Sequence, residues 1–175
     1  MKNVVKIFSV VIIIMSFIIM IIINGNRVYD KMVQNKIIDN IYIKEIRDDD
    51  SFLGYIYIPR YDIKRLIKNG TSSAVLDSNY VGMHKLSDGL ESSNFLILAG
   101  HNTSNVFSVL HKISIDDDVY IKNKNISRRF VVYDKKYVNE YEMSYLYSDK
   151  KNELLLITCS DKKGERLLVM LKEVL

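Results

Sequence analysis

A chain of 175 residues with a formal net charge of +4 has room for one domain and a short appendage. The charge is too mild to argue for nucleic acid, and no basic and aromatic residues interleave into a base-stacking surface. A single cysteine excludes an internal disulfide and argues against a structural zinc site, and the three histidines, His84, His101 and His111, have no metal-ligand spacing on one element.

Met1 to Lys6 is short and basic, and Ile7 to Ile23 is uncharged and almost wholly aliphatic. At 1.5 Å per residue that run spans roughly 25 Å as a helix, and Val4 and Val5 extend it if Lys6 snorkels. The run is long for a signal peptide. The residues after it, Asn24-Gly25-Asn26-Arg27, offer no small-x-small cleavage site. An uncleaved transmembrane anchor is therefore expected over residues 1–25. Lys2, Lys6 and the amino terminus favour an inside N-terminus, whereas Arg27, Lys31 and Lys36 oppose it. Residues 26–50 follow as a stalk, with Val28, Met32, Ile37, Ile38, Ile41 and Ile43 at partly helical spacing among charges. The acidic run over residues 47–51 marks the start of a domain at residues 51–175.

Gly54 to Ile67 alternates apolar and polar residues as strands do, and Pro59 makes the strand kink or restart. Asn69-Gly70 is a turn, and Ser72 to Leu76 reads as a short helix capped by Ser72 or Ser73. His84 lies in the loop that follows and is carried as a candidate substrate contact, beside the plainer role of a hydrogen-bonded structural histidine. Val106, Phe107, Val109, Leu110 and Ile113 have helical spacing, which puts His111 on the polar, surface side. Three adjacent aspartates, Asp116, Asp117 and Asp118, lack the alternating ligand spacing of a calcium loop, so a plain turn is expected. Val119 to Ile121, Phe130 to Tyr133 and Tyr137-Val138 read as further strands, and Glu140 to Asn152 as a long polar loop. Many short strands with almost no helix between them predict a mainly antiparallel sheet closed into a barrel.

The chain is organised around Leu154-Leu155-Leu156-Ile157-Thr158-Cys159-Ser160. Four consecutive large aliphatics predict a strand buried on both faces that runs straight into the only cysteine. A polar loop with Gly164 follows, and Arg166 opens a second apolar run, Leu167 to Leu171. A hairpin of this shape brings Arg166 back beside Cys159, where a thiolate is favoured and a developing oxyanion can be met. A lone cysteine in an apolar strand is usually an inert small hydrophobe. A second stretch of the same design, Asn94 to His101, argues otherwise: a buried strand again ends in a reactive side chain.

The ordered set Leu98-Ala99-Gly100-His101, Ile157-Thr158-Cys159 and Arg166 resembles the sortases, cysteine transpeptidases of Gram-positive bacterial surfaces. Gly54 to Pro59, Gly70-Thr71 through Leu76, and Val81 to His84 also resemble that family, and the resemblance covers the chain from about Phe52 onward. It implies an eight-stranded barrel, an N-inside membrane anchor with the domain outside the cell, and a substrate groove shaped in part by Glu140 to Asn152. It further implies that Cys159 attacks the threonine carbonyl of a sorting peptide similar to Leu-Pro-x-Thr-Gly. Arg166 and a backbone amide would steady the oxyanion, and His101 would protonate the departing glycine nitrogen. The thioacyl group would pass to a cell-wall amine. Thr158 would support the Cys159 geometry rather than do chemistry. No cofactor is expected, although some sortases bind calcium.

His101 and Cys159 are 58 positions apart, which leaves no room for the long helical insertion of class B, whereas Asn102 after His101 is similar to that class. In size the domain resembles classes A and D. No aromatic lid segment precedes Phe52, unlike the pilus-polymerising class. A cysteine phosphatase would need arginine at position 165, which is Glu165. A papain-like hydrolase would place cysteine before histidine, at a helix start. The rival of another kind is a membrane-tethered peptide-binding module without catalysis, in which Cys159 is core.

Overall fold

In a computed structural model, the short apolar runs become eight strands of one closed barrel. The structure describes residues 2–49, 51–147 and 151–174; within the first helix, side chains are described at residues 12–25, 29, 36 and 39–46. The chain divides into two compact units, residues 1–41 and residues 42–175.

A single helix, α1, runs over Lys2–Asp48. In the first unit, Ile12 to Met15 and Phe17 to Ile23 are all exposed. Among the described residues, no helix is long and apolar enough to cross a membrane. The first part of the expected span, Ile7 to Val11, has side chains outside the described residues.

The second unit begins at Tyr42 and takes in the last turns of α1. There Ile46 is buried with Phe52, Tyr55 and Leu66, and Tyr42 and Ile43 pack against the same group. The strands are β1 (Phe52–Ile58), β2 (Ile63–Asn69), β3 (Val81–Met83), β4 (Leu96–Ala99), β5 (Asp118–Lys122), β6 (Ser127–Asn139), β7 (Glu153–Cys159) and β8 (Glu165–Glu173). They close in the order β1-β2-β3-β4-β7-β8-β6-β5. Only β2–β3 and β4–β7 are parallel. Pro59 ends β1 in a short 3-10 turn, as its missing N–H requires, and β2 restarts at Ile63. The turn expected at Asn69-Gly70 is instead the end of β2: Asn69 pairs with Met83, and Gly70, at a φ of +86°, bends the chain away while its N–H donates to the Met83 carbonyl at 2.9 Å.

The interior alternates as a barrel must. Leu154 and Leu156 of β7 and Leu167, Val169 and Leu171 of β8 point into the main core. Leu155 and Leu168 point outward, yet they are buried with Ile97 and Val138 under Tyr145 and Leu146 of the β6–β7 connection. That outer cover is why four aliphatics stand in a row.

Two elements differ from the sequence expectation. Phe130 to Tyr133 and Tyr137-Val138 belong to one long strand, β6, interrupted by a register shift between Val132 and Asp134. Residues 106–113 form turns and a single 3-10 stretch, Ser108–His111, rather than an α-helix. Val106, Phe107, Val109, Leu110 and Ile113 are all buried in the main core. Their spacing reflects a plug in the barrel rather than a helix face.

Candidate active site

The parallel pairing of β4 with β7 sets the site. Ala99 lies beside Ile157, so the chain leaves both strands at the same end, toward His101 on one and Cys159 on the other. Gly100 is where it must be small: a Cβ there would come within 2.7 Å of the Phe107 ring and 2.8 Å of Val106 Cγ1. The Phe107 N–H donates to the His101 carbonyl at 3.0 Å, which folds the loop onto the plug.

β7 and β8 form the expected hairpin. Cys159 is directly opposite Arg166, the Ser160 N–H bonds the Glu165 carbonyl at 3.0 Å, and Gly164 supplies the left-handed turn at a φ of +83°. Cys159 shares the outward parity of Leu155, so its side chain is half-buried on the outer face rather than in the barrel core. Arg166 Nη1 donates to Cys159 Sγ at 2.7 Å. A guanidinium can only donate, so the sulfur is the acceptor, the role a thiolate fills best. The other arm, Nη2, is 3.8 Å from Glu140 Oε2, and the Arg166 side chain remains 36% exposed.

His101 Nε2 lies 2.8 Å from Asp77 Oδ1, just past the helix α2 (Ser73–Leu76). Next to it, Asn102 Nδ2 donates to Asp161 Oδ1 at 2.9 Å and so ties the histidine loop to the cysteine loop. Thr158 is 2% exposed on the inward parity of β7. Its hydroxyl has no hydrogen-bond partner among the described residues. His84 is held by local bonds: its N–H donates to the Ile97 carbonyl of β4 at 2.9 Å, and its Nδ1 accepts from the Leu86 N–H at 3.3 Å within the turn after β3. Burial, and secondarily Lys85, hold its imidazole below the ordinary histidine value.

Of the five candidates, the fold brings Cys159 and Arg166 into contact and sets Thr158 beneath them. His101 stands at the end of the neighbouring strand, and His84 is occupied in the turn after β3. His111 corrects the sequence expectation. Because its segment is a 3-10 plug, the ring is half-buried, with Nε2 3.3 Å from the Cys159 carbonyl and Nδ1 3.3 Å from the Tyr137 hydroxyl. Asp77 and Asp161 also carried no periodic signal; only the closed barrel brings them to these loops.

At the aspartate turn, Asp116 has a φ of +70°. Asp117 accepts from Arg60 and the Ser114 N–H, and Asp118 accepts from Arg129. Among the described residues, no group of three or more histidine, cysteine or acidic side chains is placed to hold a metal ion.

Comparison with known proteins gives the family. A family model for the sortase domain matches residues 56–174, and the chain belongs to the sortase family. It is similar to sortase A of Listeria monocytogenes, with 30% identity over 121 residues, 67% of this chain and 53% of that protein, so the chain spans about half the length of this curated relative. Sortase C1 of Streptococcus agalactiae superimposes with a TM-score of 0.64 at 28% identity, covering 71% of this chain and 68% of that one. The crystal structure of the Listeria sortase A gives a TM-score of 0.66 at 23% identity, covering 71% of this chain and 88% of that one, a likeness of fold.

Proposed function

We propose that this chain is a membrane-anchored cysteine transpeptidase that cleaves a sorting signal similar to Leu-Pro-x-Thr-Gly and joins the protein bearing it to a cell-wall amine. The observation that carries this is the 2.7 Å contact of Arg166 with Cys159 Sγ, made at the barrel end where the neighbouring strand delivers His101. The Cys159 thiolate attacks the threonine carbonyl carbon. A C–S bond forms and the oxygen takes the charge, which the guanidinium meets. Collapse of that intermediate breaks the threonine–glycine C–N bond, and His101 gives its proton to the departing nitrogen. An acceptor amine then attacks the thioester. A C–N bond forms, the C–S bond breaks, and the amine's surplus proton returns to His101.

The acyl donors are secreted proteins with a C-terminal sorting signal, and the acceptor is an amine of a peptidoglycan precursor. Residues 1–25 hold the enzyme in the cell membrane as a single span, N-terminus inside, with the barrel outside the cell. Catalysis needs no cofactor, so chelation with EDTA leaves the rate unchanged. Incubation with a library of sorting peptides and a glycine-based amine tests the chemistry; the peptide-to-amine product, detected by mass, is the expected result. No ligated product and no cleaved peptide from any library member would return the chain to the rival, a tethered peptide-binding module. The topology has its own test. A cysteine introduced at Ser51 should react with a membrane-impermeant label in intact cells, and labelling only after lysis would sink the anchor's orientation.

A further inference from the structure

Cys159 is the last residue of β7, and among the described residues its carbonyl has no backbone donor from β4. The Gly100 N–H bonds the Ile157 carbonyl at 3.1 Å, as the parallel pairing of β4 and β7 requires. On the same side of β7 the next carbonyl is that of Cys159, and its ladder donor would be the amide of Asn102. β4 has already ended at Ala99, and the chain turns back, with the Thr103 N–H on the His101 carbonyl at 2.9 Å.

A side chain takes the missing amide's place. His111 Nε2 lies 3.3 Å from the Cys159 carbonyl, and Nδ1 lies 3.3 Å from the Tyr137 hydroxyl on β6. The Tyr137 and His111 rings are 6.2 Å apart and inclined at 34°. The chemistry of the partners places the protons. A carbonyl can only accept, so Nε2 carries the hydrogen; in the neutral ring Nδ1 is then the acceptor, and the Tyr137 hydroxyl donates to it. The turn that carries His111 is held as well, because Lys135 Nζ donates to the carbonyls of His111 at 2.8 Å and Ile113 at 3.3 Å.

We propose that His111 is a positioning residue for the nucleophile. The chain Tyr137 hydroxyl, His111 imidazole, Cys159 carbonyl fixes the last peptide of β7, and so fixes the Cα–Cβ bond that aims Sγ at Arg166. His111 touches the backbone of Cys159 and not its sulfur, which separates its task from that of His101. The catalytic purpose of this arrangement rests on the transpeptidase reading, but the positioning itself does not.

Alkylation of Cys159 by iodoacetamide tests it, since that reaction needs no sorting peptide and reads the thiol even if the chain transfers no acyl group. On the full chain in detergent, His111→Ala should slow alkylation by about two- to tenfold, the worth of one hydrogen bond, with the melting temperature recorded beside it. His111→Gln should recover most of the rate, because an amide N–H reaches toward the carbonyl as Nε2 does. Tyr137→Phe, which removes the donor to Nδ1 and keeps the ring, should fall between. Where sorting peptides are turned over, His111→Ala should lower kcat and leave KM unchanged. Wild-type alkylation in His111→Ala, or a Gln variant as slow as the Ala variant, overturns the proposal. If His111→Ala does not fold, Tyr137→Phe decides, and a wild-type rate there overturns it equally.

Discussion

The two ends of β8 each meet a guanidinium, and they are built in opposite ways. At the far end, Glu173 is gripped by Arg128, with Nε on Oε1 at 2.8 Å and Nη2 on Oε2 at 2.6 Å. Nη1 of the same arginine donates to the carbonyls of Leu90 at 2.8 Å and Ser92 at 2.6 Å. These side chains are only 9% and 11% exposed, and every arm of the fork is satisfied. At the near end, Arg166 gives one arm to a sulfur and leaves the other 3.8 Å from a carboxylate, partly in solvent. A saturated, buried guanidinium is a staple that closes a barrel seam. An unsaturated one keeps donors in reserve for charge that appears only during a reaction.

The comparison is sharpened or broken by substitution. Cys159→Ala should abolish peptide cleavage with the barrel still folded, since no other thiol exists in the chain. His101→Ala should also abolish turnover, whereas His84→Ala should leave measurable activity. Arg166→Ala should lower kcat/KM by about 10²–10³, the effect of losing one oxyanion donor, roughly 2.7–4 kcal/mol. Arg166→Lys should recover only part of this, because an ammonium keeps the charge and loses the planar fork.

The staple should behave in the reverse manner. Arg128→Met leaves Glu173 buried and unpaired, and should cost about 3–5 kcal/mol in a urea melt. The double change Arg128→Met with Glu173→Leu should restore most of that stability, because a buried ion pair is often replaceable by packed apolar groups. Turnover per folded molecule should hardly change in either. Full recovery of turnover by any apolar replacement at Arg166 would break the contrast.

The smallest effect concerns the loop beside the staple. Glu91 accepts from Asn123 and Asn125, and these two bonds, Asn123 first, hold its carboxyl below the ordinary value of 4.5. A depressed carboxyl stabilises the fold above its unfolded value and loses that contribution as pH falls through the folded one. Melting temperature should therefore drop slightly as pH is lowered from about 5 toward 3, and Glu91→Gln should lose that part of the slope.

How much of this was legible in the residues follows from where the information sits. β7 and β8 were readable because the aliphatic run and the returning apolar run are local patterns, and the thiol and guanidinium fall at their ends. The barrel was foreshadowed by many short alternating runs, and its strand number came with the sortase resemblance. The plug at residues 106–113 has the spacing of a helix because burial in a barrel end and burial of one helix face leave the same pattern. The same spacing puts His111 on the surface side, whereas the structure half-buries it. The contacts of Asp77 with His101, and of Asp161 with Asn102, join residues far apart in the chain, and no local pattern announces them.

One measurement bears most directly on the central claim, that Cys159 and Arg166 together form an acyl-transfer site. Wild-type and Arg166→Ala chains are mixed with a sorting peptide in a single turnover, quenched at intervals, and weighed intact. The account predicts a mass increase equal to the acyl portion, located on Cys159, in the wild-type chain, and the same adduct forming about 10²–10³ more slowly in a folded Arg166→Ala chain. Equal rates in the two chains, or an adduct on any residue other than Cys159, would contradict it.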